Sequence, residues 1–143
     1  MKKEKTRGRD VPDDFQVVRS AGTSAPNYGA GNYEIMQQLT CWRRLCNFRI
    51  ASATTDSVTL HFQTLPIQMD AFLREVYAFC PDIVDQGTAY VGEAVALLKD
   101  EGKMVPPRLK RLVSGLDPQG DDFGLRVLER ELRRSKKLIL WWD

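Results

Sequence analysis

Two short alternating runs separated by a turn constrain this chain more than any other feature. Phe48-Arg49-Ile50 and Val58-Thr59-Leu60-His61-Phe62 place large apolar residues at every second position, with Thr54-Thr55-Asp56-Ser57 between them. A period of two is the repeat of a strand with one buried face, and two such runs joined by small polar residues make a hairpin. Val58, Leu60 and Phe62 then face inward, and that apolar face needs other elements laid over it.

The flanking sequence supplies them as helices. Asn32 is a good N-cap, and Ile35, Leu39, Trp42 and Cys46 follow at helical spacing, with Arg43 and Arg44 off the stripe. Beyond the hairpin, Pro66 suits a helix start; Met69, Leu73, Val76 and Cys80 mark the buried side, Phe72 and Phe79 flank it, and Pro81 stops or kinks it. Thr88 suits the cap of a helix over 89–100 with Val91, Val95 and Leu98 as its stripe. A last helix over 124–135 carries Leu125, Leu128 and Leu132, and Lys136-Lys137 complement its C-terminal dipole. Leu138-Ile139-Leu140-Trp141-Trp142 shows no alternation, which predicts a strand covered on both faces.

The remaining segments read as connections. Residues 1–14 are charged and nearly free of apolar side chains, the composition of a mobile tail. Phe15-Gln16-Val17-Val18 fits a short edge strand, and the glycines and proline of residues 20–32 predict a flexible loop. Residues 101–123, with Pro106, Pro107, Gly115, Pro118 and Gly120, form a long excursion holding one turn of helix around Leu109–Val113. The organisation is a flexible charged tail and loop over 1–31, then a single α+β domain over 32–143. Its architecture is a two-layer sandwich of helices on a small, mainly antiparallel sheet. With 15–18 as a strand, the order is ferredoxin-like with an elaborated second helix.

Composition limits the function classes. The net charge of +2 comes from 21 basic and 19 acidic residues, too near balance for the whole chain to imply a polyanion partner. The three cysteines, Cys41, Cys46 and Cys80, have no metal-ligand spacing and read as reduced, buried thiols. No metal or other cofactor is expected. No apolar run approaches the roughly 20 residues of a membrane span, and the basic N-terminal stretch lacks the apolar segment of a signal peptide. A soluble cytoplasmic protein is the expectation.

The chemistry concentrates in Tyr77-Ala78-Phe79-Cys80-Pro81-Asp82-Ile83-Val84-Asp85-Gln86-Gly87 and in Leu140-Trp141-Trp142-Asp143. Both set acids among core-grade hydrophobes, where a carboxylate needs partners or a shifted pKa. Two readings stay open. In one, Asp82 and Asp85 cap the helix junction at Pro81 by accepting nearby N–H groups, with Gly87 permitting the chain path. In the other, Asp82, Asp85, Gln86, Trp142 and Asp143 form a ligand-binding site. Cys80 shares the buried helix face and His61 lies on the opposite strand face from Leu60, so no Cys–His dyad is indicated. Asp82 and Asp85 lack the repeated oxygen ligands of a calcium loop.

YAFCPDIVDQG followed by LWWD resembles the bacterial family described as domain of unknown function 4253. The resemblance spans about residues 32–143, taking in the Trp42 helix, the hairpin and the Leu65-Pro66 entry to the next helix. It matches at Phe79, Cys80, Pro81, Asp82, Asp85, Gln86 and Gly87, and at Trp141, Trp142 and Asp143; it departs in the 101–123 excursion. It favours a shared site for the acids and supplies no reaction.

Three functions compete. The first is a small binding module of accessory or immunity type that recognises a protein or a small ligand. The second is a hydrolase-like or metal-dependent enzyme using Asp82, Asp85 and Asp143. The third is nucleic-acid binding by Arg108, Lys110 and Arg111 with Arg126, Arg130, Arg133, Arg134, Lys136 and Lys137. Interleaved Glu129 and Glu131 make the third less favoured, because such a run is ordinarily a solvated helix face.

Overall fold

A computed structural model describes residues 14–143, so all but the last residue of the expected tail lies outside the described residues. They divide into two compact units: residues 14–67 with 137–141 and 143, and residues 68–136 with 142. The chain is mixed α+β, with a three-stranded antiparallel sheet in the first unit. No helix among the described residues is long and apolar enough to cross a membrane.

The first unit is built on the hairpin. Strands β1 (Phe48–Ala53) and β2 (Ser57–Phe62) pair antiparallel, and β3 (Lys137–Trp141) adds on the far side of β2, giving the order β1-β2-β3. Ile50 lies opposite Leu60 and Leu60 opposite Leu138, while Val58 lies opposite Leu140. All five are buried, together with Phe48 and Phe62, whose ring centroids sit 5.3 Å apart. Burying each such side chain contributes about 1.5–3 kcal/mol, so this one face supplies much of the unit's stability.

Helices α1 (Phe15–Ala21) and α2 (Asn32–Arg43) belong to the same unit, with a 3-10 turn at Pro26–Tyr28 between them. Residues 15–18, expected as an edge strand, are helical. Val18 is fully buried, and Gly22 closes the helix in the left-handed conformation at φ 66. Asp14 fixes α1 against β1: its carboxylate accepts the Ile50 N–H at 2.5 Å and pairs with Arg43 at 3.0 Å. The Arg43 guanidinium also lies 4.8 Å from the ring centroids of both Phe15 and Phe48. With that segment helical and the described strands forming a simple meander, the ferredoxin-like order does not apply.

Two further expectations shift. Asn32 is the first helical residue of α2 and Gly31 the cap, with the Gly31 N–H donating to Glu34 at 2.9 Å. The Asn32 amide instead donates to the carbonyls of Val18 and Thr23, both at 3.0 Å. Strand β3 is not covered on both faces. Leu138 and Leu140 are buried, but Ile139 between them is 45% exposed, so it alternates like its neighbours.

The second unit is helical: α3 (Met69–Phe79), α4 (Asp82–Asp85), a 3-10 turn (Thr88–Tyr90), α5 (Val91–Asp100), α6 (Pro107–Val113) and α7 (Phe123–Ser135). Helix α3 starts at Met69, three residues after Pro66, and buries Met69, Phe72, Leu73 and Val76 as expected. Cys80 ends it, fully buried, and Pro81 begins the next turn. The excursion holds α6 where a helical turn was expected. Leu112 of α6 packs in one cluster with Phe123 and Val127 of α7, with Leu109 and Val113 against them.

Helix α7 is the unit's hub. At its start Gly124 runs so close to the 81–90 segment that an added Cβ would lie 2.7 Å from Val84 and 3.2 Å from the Ala89 Cβ. Thr88 donates its hydroxyl to the Gly124 carbonyl at 2.8 Å. On its outer side Arg126 pairs with Asp70, which also holds Arg74 at 2.9 Å, and Arg74 reaches Asp122 at 3.0 Å.

Candidate functional site

The segment after α3 folds as a self-contained turn. Val84 and Asp85 donate their N–H groups to the Pro81 carbonyl at 3.0 and 2.8 Å, and Gln86 donates to the Asp82 carbonyl at 2.8 Å. Asp82 is 3% exposed, so its carboxylate needs polar partners. They include the Gln86 side-chain amide, which donates to Oδ1 at 2.9 Å. Asp85 is exposed and accepts the Tyr77 hydroxyl at 2.7 Å. A side-chain donor thus meets each of the two acids. Gly87 is required by proximity and not by a left-handed backbone: a Cβ there would sit 2.3 Å from the Ile83 carbonyl oxygen.

The C-terminal aromatics take different roles. Trp142 is 4% exposed; its indole N–H donates to the Phe79 carbonyl at 3.1 Å, and the two rings meet edge-on at 5.7 Å. That hydrogen bond satisfies a carbonyl near the end of α3 that the helix itself leaves open. Asp143 falls in the first unit, where its main-chain oxygen accepts the Asn27 amide at 2.9 Å. Of the expected site residues, Asp82 and Gln86 are brought together directly, Asp85 turns to Tyr77, and Trp142 turns to Phe79.

The cysteines also differ from expectation. Cys46 and Cys80 are buried and not disulfide-bonded, but Cys41 is exposed. Burial pushes the Cys46 thiol up to about 11, since a thiolate there would lose its hydration. Among the described residues no group of three or more His, Cys, Asp or Glu is placed to hold a metal ion.

A different site appears where α6 meets α7. Arg108, Arg111 and Leu112 of α6 and Arg130, Arg133 and Arg134 of α7 line a cavity of about 380 Å³. The apolar seam between Leu112, Phe123 and Val127 sets the distance between the two helices and so forms the groove. Arg130 fastens it: one guanidinium nitrogen donates to the carbonyls of Arg111, Leu112 and Ser114 at 3.1, 3.2 and 2.6 Å. Those are the carbonyls that the last turn of a helix leaves open, and a cation there also complements the dipole.

Three of the other guanidiniums share two carboxylates. Glu131 receives Arg108 at 3.4 Å and Arg134 at 2.7 Å, and Glu129 receives Arg133 at 3.0 Å. Arg108, Arg133 and Arg134 are about half exposed, so each pair contributes only ~0–1 kcal/mol. Arg126 is excluded from the group, held by Asp70 and by Glu129 at 2.5 Å. The arginine spacing is visible in the sequence, at three apart in α6 and four, three and one apart through 126–134. The meeting of the two helices is not.

The family model described as domain of unknown function (DUF4253) matches residues 10–143, nearly the whole chain, and the protein belongs to that family. Neither a curated protein nor a solved structure matches it.

Proposed function

We propose that this member of the family is a binding module that recognises an anionic ligand through Arg108, Arg111, Arg130, Arg133 and Arg134. The observation that carries the reading is the convergence of these five arginines from two helices on one cavity of about 380 Å³. Pockets for small ligands run from about 300 to 1,000 Å³, and the arginine fork matches carboxylate and phosphate oxygens two at a time. Five guanidiniums face two carboxylates, Glu129 and Glu131, leaving a formal surplus of three positive charges. In water that surplus would be self-repelling; against an anion it becomes affinity and faster association.

In this reading the acids after α3 are structural. Asp82 and Asp85 direct their carboxylates at Gln86 and Tyr77, which favours a braced junction over an acid/base pair. An accessory or immunity-type role would then be exercised through the arginine groove. The reduced state of Cys46 and Cys80, neither of them disulfide-bonded, supports a reducing, cytoplasmic setting.

The test is a thermal-unfolding screen of the wild type, Arg111→Glu and Asp82→Asn against inorganic anions, polycarboxylates, heparin and an acidic peptide. Ligand linkage predicts that an anion raises the wild-type midpoint and that Arg111→Glu abolishes the rise. Asp82→Asn retains it. A screen in which no anion raises the midpoint defeats the reading, and a rise lost in Asp82→Asn moves the site to the turn after α3.

A further inference from the structure

Resting on that reading, we infer that the ligand of the groove is a small molecule carrying two or more linked phosphate groups, and that Glu131 competes with it for Arg108 and Arg134. Charge density is the first argument. An isolated phosphate ester carries about −1.5 to −2 at neutral pH, and linked phosphates concentrate more than that within the span of one cavity. That matches a formal surplus of three positive charges among the five arginines that line it. An acidic peptide spreads similar charge along an extended chain, and its outer carboxylates would fall beyond the groove.

Shape is the second argument, and it separates this ligand from a nucleic-acid strand. A strand needs a basic stripe that tracks its backbone. The basic run of α7 does not form one. Arg126 turns away to Asp70 and Glu129, Arg130 is held at the cavity by one guanidinium nitrogen on the Arg111, Leu112 and Ser114 carbonyls, and Lys136 is the left-handed cap that ends the helix at φ 56. What remains is a compact group around one open cavity. Leu112 lines it beside the arginines, giving an apolar surface to whatever group bears the phosphates.

Glu131 supplies the third argument. Its two oxygens hold Arg108 of α6 and Arg134 of α7, so one carboxylate bridges the two helices across the groove. A phosphate brings about −1.5 to −2 of charge to the same forks, more than one carboxylate, and competes with that bridge. Among the described residues the Arg111 guanidinium makes no ion pair: its side chain lines the cavity, and its main-chain carbonyl accepts from Arg130. It is the fork best placed to meet a ligand without breaking an existing pair.

The experiment is calorimetric titration of the full chain, at one fixed moderate salt concentration, with pyrophosphate, ATP, orthophosphate and a 20-nucleotide single-stranded DNA. The same titrations are repeated on Arg111→Ala and Glu131→Gln, with circular dichroism to verify folding. Pyrophosphate or ATP is expected to bind at least about tenfold tighter than orthophosphate, the worth of one further charge-assisted hydrogen bond. ATP binding tighter than pyrophosphate assigns the ligand to nucleotides, and equal binding assigns it to free oligophosphate. Arg111→Ala is expected to weaken binding by about tenfold or more, and Glu131→Gln, which releases Arg108 and Arg134, to tighten it. Orthophosphate binding as well as pyrophosphate overturns the oligophosphate inference while leaving anion recognition standing. Tight binding of DNA alone overturns it in favour of a nucleic-acid strand, and a folded Glu131→Gln that binds more weakly removes the competition. No binding by any of the four probes, beside a positive anion screen, discards the phosphate class alone; with a negative screen the groove reading fails as well.

Discussion

The Tyr77 hydroxyl donates to Oδ1 of Asp85 at 2.7 Å, so an acid that reads in sequence as a candidate ligand is engaged by the helix preceding it. The contact has a measurable signature. The Asp85 hydrogen bond, then burial and the nearby carboxylate charge, hold the Tyr77 phenol above its usual value of 10. A raised folded-state pKa stabilises the protonated form, so the contribution is complete below pH 10 and disappears as pH rises through the folded value. Asp85→Asn should return the Tyr77 ionisation toward the usual tyrosine range. An ultraviolet difference titration of wild type against variant reads this directly, and identical alkaline profiles would remove the interaction.

Gly87 makes a steric prediction. A Cβ at this position would lie 2.3 Å from the Ile83 carbonyl oxygen and 3.1 Å from its carbon. Both are backbone atoms of a hydrogen-bonded turn, so neither can move aside cheaply. Gly87→Ala should cost about 1–3 kcal/mol or more, the range for overpacked sites. Urea unfolding should show a lower midpoint with an unchanged slope, whereas an unaltered midpoint would mean the turn relaxes freely.

The parts of the fold that were legible are those in which one local pattern had one physical solution. Val58, Leu60 and Phe62 alternate, and only a strand puts them on one side; Met69, Leu73, Val76 and Cys80 fit only a helix face. Phe15–Val18 offered too few residues to separate period two from period three, and Asp14 with Gly22 decided for the helix through contacts outside the run. Leu138–Trp142 hid its alternation because Ile139, apolar in composition, faces solvent. The arginine groove was out of reach for another reason. Arg108 and Arg111 are brought beside Arg130, Arg133 and Arg134 by the packing of Leu112 on Phe123 and Val127, a tertiary event that no spacing encodes.

The cysteines should separate by reactivity. Cys41 is exposed, whereas Cys80 is fully buried and Cys46 is 6% exposed with its thiol pushed up to about 11. At pH 8 a group titrating near 11 is ionised only about one part in a thousand, and thiolate is the reacting species. Iodoacetamide on the native protein should therefore label Cys41 alone within the time that free thiols react fully. Mass spectrometry of the digest would show Cys46 and Cys80 labelled only after denaturant is added. Native labelling of Cys46 at the rate of Cys41 would contradict the burial of the Cys46 thiol.

The ion network between α3 and α7 makes an acid-range prediction. The Arg74 hydrogen bond, assisted by Arg126, holds Asp70 below its usual value of 3.8. A depressed folded-state pKa contributes stability that is present above the unfolded value and is lost as pH falls through the still lower folded value. The window therefore lies at and below about pH 4, not near neutrality. Asp70 is more than half exposed, so the effect is small and salt-screened. Asp70→Asn should flatten the decline in thermal midpoint across that window, with the difference from wild type shrinking as sodium chloride is raised. Parallel wild-type and variant profiles at low salt would show that Arg74 and Arg126 gain nothing from the Asp70 charge.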